Sequence, residues 1–385
     1  MSYEWIARQK AKRNARVTLV ARDIKGAFDF LPHKRIKYHL ARIDLPPMLL
    51  KALGSFLDNR TAKIKVGSYI GPAFPLRAGT PQGASPSAAI FNLCVSGAPS
   101  PADKVNQYWS HYADDTTQLV KTVQRSVSAK GKKGQNYHDL EVSRAVHVLN
   151  GFERHEGLIT EPQKSWILPF GSSKAPNVFV GDHKYNKPSN GVGRLLGHHF
   201  TYHNMITEQV KLQKQKARCK LGSLWGYRRA SSKIKVHLIK ALVFPHLTYP
   251  CIPLHTASPP QMGELQTVQN AAIKFALNVS WYDFMTAEDL HNRFRFKFQP
   301  LNQVLHWRAR KTWDTIKSGT GADPEQFRII SETLEPEPGE KYHRHFPSSL
   351  DLAEKDEPPP LYTATSSRVS RAGRPPGRPP RITGD

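Results

Sequence analysis

The pattern of hydrophobic and polar positions divides this chain into a mixed first half and a helical second half. Short alternating or β-branched stretches predict strands and hairpins at 17–24, 62–76, 105–122, 165–171 and 193–200. Helical patterns predict helices at 2–14, 33–43, 46–60, 85–97 and 140–158. A polar, basic stretch at 128–136 predicts a loop. Strands interleaved with helices in this way favour an α+β fold for the first half.

The strand-like alternation gives way to amphipathic helical patterns after residue 206. In 206–229 one stripe repeats at helical spacing, formed by Ile206, Val210, Gln213, Ala217, Leu221 and Leu224. Basic residues lie mostly off this stripe, at Lys211, Lys214, Arg218 and Lys220. Further helices are predicted at 233–247 and 262–279. We therefore expect a helical region with a basic outer face to begin near residues 195–205.

The last part of the chain, from about residue 331, loses hydrophobic periodicity and is rich in Pro, Gly, Arg and Ser. This composition predicts a disordered tail. Two Gly-Arg-Pro tripeptides, at 373–375 and 377–379, resemble the core of a minor-groove AT-hook. The alternative is a plain basic linker.

Charge is the strongest global feature of the 385 residues, with 56 Lys and Arg against 31 Asp and Glu and a net charge of +25. Such a surface attracts polyanions, and nucleic acid is the first candidate, although the protein could simply be soluble and basic. No apolar run reaches the length of a membrane span, and no secretory signal is visible. Three cysteines without a close pair favour a reducing compartment. We therefore expect a nuclear or cytoplasmic protein rather than a secreted or membrane one.

An acidic pair lies at the tip of the hairpin predicted within 105–122. Asp114 and Asp115 follow Tyr112 in the stretch "QYWSHYADDTTQLV", and a third aspartate, Asp23, ends the strand predicted at 17–24. The three carboxylates could meet across adjacent strands, where they would raise one another's pKa unless a cation neutralised them. In isolation the acidic pair is better explained by an exposed turn, and it is the partner Asp23 that favours a site.

A metal-binding site is the physical explanation that accounts for all three aspartates. Hard divalent cations prefer oxygen ligands, and Mg²⁺ takes one or two carboxylates together with substrate phosphates. Two Mg²⁺ ions about 4 Å apart can activate an attacking 3′-hydroxyl and stabilise the leaving oxygen of a phosphoryl displacement. The pattern therefore favours phosphoryl transfer at this site.

A Gly-Pro-rich loop lies between Asp23 and the acidic pair, in the stretch "RAGTPQGASPSAAIFNL" (77–93). Gly79, Pro81 and Gly83 predict a rigid loop that allows close approach to a nucleotide or a template strand. The alternative is an ordinary loop that precedes a core helix.

Four motifs occur in one order: "RDIKGAFD" (22–29), "GTPQGASPSAAIFNL" (79–93), "YADD" (112–115) and "HEGLITEPQKSWILPF" (155–170). Their order and spacing over roughly residues 5–300 resemble the reverse transcriptases of LINE-type, non-LTR, jockey-like retrotransposons. The resemblance implies a right-hand polymerase palm, an antiparallel sheet with packed helices, followed by an α-helical thumb. It implies a palm with partial fingers at 1–200, a thumb and connection region at 201–330, and the disordered tail at 331–385.

The resemblance also implies the roles of the acidic residues. Asp23, Asp114 and Asp115 would hold two Mg²⁺ ions, for which Mn²⁺ can substitute, and Asp114 is favoured as the direct ligand of the pair. Lys164, in "PQKSWIL", would donate a proton to the leaving pyrophosphate or pair with phosphate.

Three further residues would contact nucleotide or template in such an enzyme. Phe28 matches the aromatic gate that rejects a 2′-hydroxyl, although it could equally be a core aromatic. Gln82 and Gly83 would line the pocket for the incoming nucleotide and the template. The implied partners are an RNA template, a DNA primer or target, and dNTP.

The sequence departs from the family upstream of Asp23. Only 22 residues precede it, so we expect most of the fingers and the endonuclease to be absent, as in an N-terminally truncated element. Arg22 precedes the metal ligand and could compete for its charge or bind phosphate. We therefore expect weak or no activity from this chain alone.

Three alternatives remain open. The first is a non-catalytic remnant that binds nucleic acid. The second is a two-metal nuclease, for which His111 is the nearest candidate base, although strand alternation turns it away from at least one aspartate. The third is a maturase-like or telomerase-like polymerase, whose thumb would differ from the stretch "VQNAAIKFAL" in this chain.

Overall fold

The structure of the chain is a computed structural model. It describes residues 1–12, 15–123, 132–171, 174–280, 290, 298–319, 324–334, 341–342 and 346–358. The two tripeptides at 373–375 and 377–379 lie outside these residues. Among the helices of the described residues, none has the length and hydrophobicity of a membrane span.

The first half is organised around a four-stranded antiparallel sheet of order β6-β7-β1-β8. Its strands are β1 (Ala15–Asp23), β6 (Gln107–Tyr112), β7 (Asp115–Val123) and β8 (Trp166–Phe170). β1 is central, and it pairs with β7 along its whole length and with β8 over Val17–Ala21. The α+β prediction for this half is confirmed.

Shorter strands form hairpins outside this sheet. The predicted 62–76 hairpin consists of β2 (Thr61–Ala62), β3 (Lys65–Val66), β4 (Tyr69–Ile70) and β5 (Phe74–Pro75). Two further pairs are β9 (Phe179–Val180) with β10 (His183–Lys184), and β11 (Val192–Leu195) with β12 (His198–Thr201). The last of these shows that the single strand predicted at 193–200 is a two-stranded hairpin, because Leu196 and Gly197 turn the chain with positive φ.

The helices of the first half agree with the sequence patterns. They are α1 (Ser2–Ala11), α2 (Ala27–Phe30), α3 (His33–Leu40), α4 (Pro47–Leu57), α5 (Ser85–Val95) and α6 (Lys132–Glu156). α6 begins earlier than predicted, so residues 132–136 of the expected 128–136 loop are helical. Polarity alone did not separate a loop from the first turns of a helix.

The second half is helical, as predicted. Its helices are α7 (Thr207–Ser223), α8 (Ser232–Leu242), α9 (Phe244–Thr248), α10 (Cys251–His255), α11 (Pro259–Leu277), α12 (Leu301–Lys317), α13 (Pro324–Arg328) and α14 (Ser349–Ala353). A 3₁₀ turn (Leu224–Tyr227) follows α7, and a π-helix (Ile329–Thr333) follows α13. The stripe predicted for 206–229 is buried at every position.

The two faces of the main sheet have different partners. On one face, Leu19 and Leu119 join a hydrophobic core shared with α1 and with the helices of the second half. On the other face, Val20 and Val120 pack against α6 through Val146. Because the first core runs through both halves, the two halves pack as neighbours, and the division at residue 200 stays a prediction.

Part of the expected 331–385 tail is ordered, contrary to the sequence prediction. Phe346 is buried and its ring lies 5.9 Å from that of Phe170, edge to face. The buried Glu4 of α1 accepts hydrogen bonds from the backbone N–H of Ser349 (2.9 Å) and of Leu350 (3.2 Å), at the N-terminus of α14. A short helix held by long-range contacts leaves little periodicity, which explains the difference.

The three cysteines Cys94, Cys219 and Cys251 are free, as their spacing predicted. Burial raises the pKa of the Cys94 and Cys251 thiols to about 12, so both stay neutral and pack as small apolar groups.

His138 of α6 provides a testable acid sensitivity. Its ring lies between the hydroxyls of Thr18 (2.7 Å) and Thr122 (2.8 Å), and burial lowers its pKa to about 4. The unfolded chain therefore binds a proton between pH 6.5 and 4 that the folded protein excludes, so stability falls as pH decreases through this window. We expect this group alone to remove about 2 kcal/mol of unfolding free energy between pH 7 and 5.

Urea denaturation of the wild type and of His138→Gln at both pH values measures this contribution. The variant should lose less stability on acidification, although buried His198 and His255, with pKa values of about 3 and 4, retain their own contributions. An equal loss in both proteins would contradict the assignment.

Candidate active site

Two of the three predicted carboxylates face each other across paired strands. Asp23 ends β1 and Asp115 begins β7, and the two residues are direct partners in the antiparallel register. Directly opposed residues project from the same face of a sheet, with Cβ atoms about 5 Å apart. This end of the face lies beyond the buried core residues, and the Asp23 side chain is 24% exposed. The sheet therefore presents a pair of acidic side chains at an open edge.

Asp114 lies in the turn of the β6–β7 hairpin rather than on a strand. Tyr112 pairs with Asp115, so Ala113 and Asp114 form a two-residue loop. Ala113 has a φ of 52°, the left-handed region that such tight hairpin loops require and that glycine usually supplies. The residue directly opposite Asp23 is thus Asp115, whereas the resemblance favoured Asp114 as the direct ligand.

The charges of the neighbouring carboxylates act on Asp115. Burial raises the pKa of Asp115 above its usual range, and the charges of Asp114 and Asp23 raise it further. Of the mutual effects that the sequence predicted, the one on Asp115 is therefore confirmed.

Lys164 forms an ion pair with Asp23. Its Nζ lies 3.5 Å from Asp23 Oδ2, and its side chain is 69% exposed. The turn that carries it is fixed to β1, because the Glu161 backbone N–H donates to Asp23 O (2.8 Å) and Ser165 Oγ accepts from the Asp23 backbone N–H (3.2 Å). The fold thus brings Lys164 to the acidic pair from 141 residues away in sequence.

Phe28 and the Gly-Pro-rich loop form one structural unit next to the carboxylates. The Gly79 N–H donates to Leu31 O (2.8 Å) and the Thr80 N–H donates to Phe28 O (2.7 Å). A Cβ at Gly79 would lie 2.6 Å from Asp29 O, so only glycine allows this approach. Phe28 is half-buried, and its ring packs 5.1 Å from that of Phe91. It is therefore a core aromatic with an exposed edge, which leaves the gate role open.

Gln82 makes a contact that sequence analysis did not anticipate. Its Nε2 donates to both carboxylate oxygens of Asp29 at 3.1 Å. Because a carboxylate only accepts hydrogen bonds, the amide oxygen of Gln82 is turned away from Asp29 and remains an acceptor. Gly83 follows in the same loop with a φ of 82°. Asp29 belongs to the motif "RDIKGAFD". Its position within that motif was the one feature of the sequence that could have marked Asp29 as part of the site.

Arg22 and His111 face the opposite side of the sheet. The Arg22 guanidinium is buried, forms an ion pair with Glu153 of α6, and donates to Thr160 Oγ1 (2.8 Å). His111 pairs with Thr116, and its Nδ1 lies 3.1 Å from Thr116 Oγ1. Arg22 therefore does not compete for the charge of Asp23 or bind phosphate. His111 faces away from the Asp23–Asp115 pair, which removes the nearest candidate base for a nuclease.

The donor set at the open edge fits a hard divalent cation. In the described ranges, no three or more His, Cys, Asp or Glu side chains gather closely enough to hold a metal ion by themselves. Mg²⁺ nevertheless needs only one or two carboxylates when phosphate oxygens complete its coordination. Asp23 and Asp115 supply two such carboxylates, and their mutual repulsion would be relieved by the cation.

Comparison with known proteins assigns the first half of the chain. Residues 2–185 match the family described as reverse transcriptase (RNA-dependent DNA polymerase). Residues 2–185, just under half of the chain, are thus similar to reverse transcriptases. The four motifs that carry the sequence resemblance all fall inside the matched residues.

Among curated proteins, this sequence is similar to the RNA-directed DNA polymerase from mobile element jockey of Drosophila melanogaster. The two are 25% identical over 279 residues, which cover 68% of this chain and 28% of that protein. The jockey-like resemblance is thereby confirmed. The chain corresponds to less than a third of the length of this relative.

Solved telomerase structures show a distant overall likeness. The apo telomerase of Candida tropicalis aligns with a TM-score of 0.43 and 13% identity, over 87% of this chain and 51% of that one. The telomerase of Candida albicans, in complex with a TWJ fragment of telomeric RNA, aligns with a TM-score of 0.30 and 11% identity, over 79% and 49%. Both TM-scores are below 0.5, so nothing about this chain is inferred from the telomerases.

Glu153 allows a direct test of the Arg22–Glu153 ion pair, which joins β1 to α6 on the face of the sheet opposite to Asp23. Glu153→Gln leaves the buried Arg22 charge without a counter-ion, so we expect the free energy of unfolding to fall by about 3 kcal/mol. Urea denaturation measures the change. The double variant Arg22→Met with Glu153→Leu, which removes both charges, should be less destabilised than Glu153→Gln. A decrease below about 1 kcal/mol for Glu153→Gln would show that the ion pair is unimportant.

Proposed function

We propose that this chain is the polymerase part of an RNA-directed DNA polymerase, which adds dNTP to the 3′-hydroxyl of a DNA primer on an RNA template. The observation that carries the proposal is the direct pairing of Asp23 with Asp115 at an open sheet edge, with Lys164 3.5 Å away. The match of residues 2–185 to the reverse transcriptase family supports the same reaction class. In this proposal the sheet with its helices is the palm, and the helices after residue 200 are the thumb and connection region.

Asp23 and Asp115 would hold Mg²⁺, with Asp114 at the hairpin tip as the third carboxylate. Two Mg²⁺ or Mn²⁺ ions bound there would supply the Lewis acidity that lowers the pKa of the 3′-hydroxyl and neutralises charge on the leaving pyrophosphate. The carboxylates themselves fix the position of this charge, since both are anchored in the ladder of paired strands. Preorganisation of this kind is the main contribution that a protein makes to phosphoryl transfer.

Lys164 would change its partner during the reaction, from the Asp23 carboxylate to the triphosphate. It now balances Asp23, and it would be released towards the triphosphate once another cation balances that carboxylate. From there its ammonium group could hold a phosphate oxygen or deliver a proton to the leaving pyrophosphate. Its high exposure is consistent with a side chain that moves between two partners.

Phe28, Gln82 and Gly83 would position nucleotide and template. The acceptor oxygen of Gln82 suits a ligand that donates a hydrogen bond, such as a sugar hydroxyl or a base N–H, better than a phosphate oxygen. The exposed edge of Phe28 would lie below the sugar, where an added 2′-hydroxyl would collide with it.

A non-catalytic nucleic-acid-binding protein is the second candidate. The basic outer face of α7 and the net charge of +25 favour it. This alternative predicts salt-sensitive binding of duplex that is unaffected when Asp114 is replaced by Asn. It offers no explanation for an acidic pair at the open edge of a strongly basic protein.

Primer extension tests the catalytic assignment. Wild type, Asp23→Asn, Asp114→Asn and Asp115→Asn are compared on matched RNA and DNA templates with Mg²⁺. We expect Asp23→Asn and Asp115→Asn to lower the rate at least about 100-fold, because each removes a ligand of the charge that stabilises the transition state. Equal extension by all four proteins would end the catalytic assignment, and equal extension on both templates would remove the preference for RNA.

Thermal unfolding with added cation tests the metal-binding site without any need for activity. A cation present at roughly ten times its Kd should stabilise the wild type by about 1 kcal/mol, which raises Tm by a few degrees. Asp23→Asn and Asp115→Asn should lose this response, while the exposed Asp314→Asn on α12 should keep it. The same Mg²⁺ response in all of these variants would place the bound cation elsewhere.

A further inference from the structure

Two large aromatic side chains are exposed on the 3₁₀ turn that follows α7. Trp225 is 51% exposed and Tyr227 is 54% exposed. They are separated by Gly226, at which a Cβ would meet no atom within 4 Å. Exposed aromatic groups that cluster in one turn are typical of surfaces that bind a partner.

A cleft of about 410 Å³ opens beside this turn, between α7 and α11. Its walls are mostly apolar and include Leu221, Trp225, Val268, Ala271 and Phe275. The Trp225 ring lies 6.1 Å from the Phe275 ring at an angle of 34°. The cleft thus offers an apolar lining with an exposed aromatic ring on which a planar group can stack, and Arg218 places a positive charge in its lining.

The surrounding surface is strongly basic. Between Glu208 and Glu264 the sequence contains ten Lys and Arg and no Asp or Glu. Of the two flanking acids, Glu208 pairs with Lys211 (3.7 Å) and Glu264 pairs with Lys214 (2.7 Å). In the part of the chain that the structure describes, Arg218, Arg228 and Arg229 form no ion pair. An anionic ligand would therefore be drawn to the cleft without displacing a carboxylate.

The turn is held in place by its own hydrogen bonds. The Arg228 N–H donates to Trp225 O (3.1 Å), and the Ala230 N–H donates to Tyr227 O (2.9 Å). Ser231 then caps α8, and its Oγ accepts from the Ile234 N–H (3.5 Å). The aromatic and basic side chains consequently project from a fixed backbone, which lowers the entropy cost of binding.

We propose that this cleft binds an unpaired base of a single-stranded nucleic acid. Trp225 stacks on the base, and Arg218, Arg228 and Arg229 contact the flanking phosphates. A ligand that combines a flat ring with a phosphate backbone satisfies both the apolar walls and the acid-free surroundings. A duplex satisfies only the second, because its bases are already stacked and paired. This site adds to the proposed polymerase function and does not depend on it.

Gly222 permits a test that blocks the cleft without disturbing the helix. It lies in the cleft lining on α7, and a Cβ there would meet nothing within 4 Å. Gly222→Leu should fill the opening, while Gly222→Ala is the matched control that adds only a methyl group. Fluorescence anisotropy with labelled oligo-U and oligo-dT of about 12 nucleotides, without Mg²⁺, should show about tenfold weaker binding for Gly222→Leu and no change for Gly222→Ala.

Two further variants separate stacking from charge. Trp225→Leu should weaken binding about tenfold while leaving the dependence of affinity on salt unchanged. Arg218→Gln combined with Arg228→Gln should reduce the slope of log K against log salt by about 1.4, because each phosphate of a single strand that an arginine neutralises adds roughly 0.7 to that slope. The RNA and DNA oligonucleotides show whether the sugar contributes to recognition.

The proposal is overturned if Gly222→Leu, with the Tm of wild type, binds the oligonucleotides as wild type does. It is also overturned if a blunt duplex of the same length competes as well as the single strand, since the surface would then read only phosphate charge. If Gly222→Leu does not fold, Trp225→Leu decides between the same outcomes. Because these measurements use no metal and no primer, a negative result here leaves the Asp23–Asp115 assignment untouched.

Discussion

The antiparallel register of β1 and β7 is the constraint on which the rest of the site depends. It places Asp23 opposite Asp115 and, on the same face, Leu19 opposite Leu119. A slip of one residue would turn either strand over, exposing its leucine and burying its aspartate. The hydrophobic core therefore enforces the register, and the register in turn holds two repelling carboxylates together. Burial of Leu19 and Leu119 thus maintains the close approach of two carboxylates, whose repulsion a bound cation would relieve.

The opposite face of the sheet contributes to the same arrangement through Arg22. Its ion pair with Glu153 and its hydrogen bond to Thr160 join β1 to α6 and to the segment that leads into the Lys164 turn. Ile24 forms a bridge with Thr160, and the next residue, Glu161, donates to the backbone of Asp23. The positions of Asp23 and Lys164 are therefore coupled by backbone hydrogen bonds and by the buried contacts of Arg22, rather than by their own side chains alone.

Local periodicity was sufficient to predict the main strands, the acidic hairpin and the stripe of α7, because each depends on residues close in sequence. Strand alternation also predicts the orientation of Arg22, because the neighbours of Asp23 on a strand face the other side of the sheet. The expectation that Arg22 binds phosphate did not take this alternation into account. The Asp29–Gln82 contact and the attachment of α14 to Glu4 could not be predicted, because they join residues 53 and more than 340 positions apart. Contacts of that range depend on tertiary packing, which leaves no repeat in the sequence.

The distribution of charge along the chain gives the two halves opposite relations to a polyanion. The first half concentrates carboxylates at one sheet edge, where a phosphate backbone is repelled unless a divalent cation lies between them. The second half contains a stretch of 55 residues without a single carboxylate, where the same backbone is attracted directly. In the proposed function, binding of nucleic acid to the helices would therefore need no divalent cation, whereas approach of phosphate to Asp23 and Asp115 would require one. Salt should weaken the first contact steeply, and chelation of divalent cations should remove only the second.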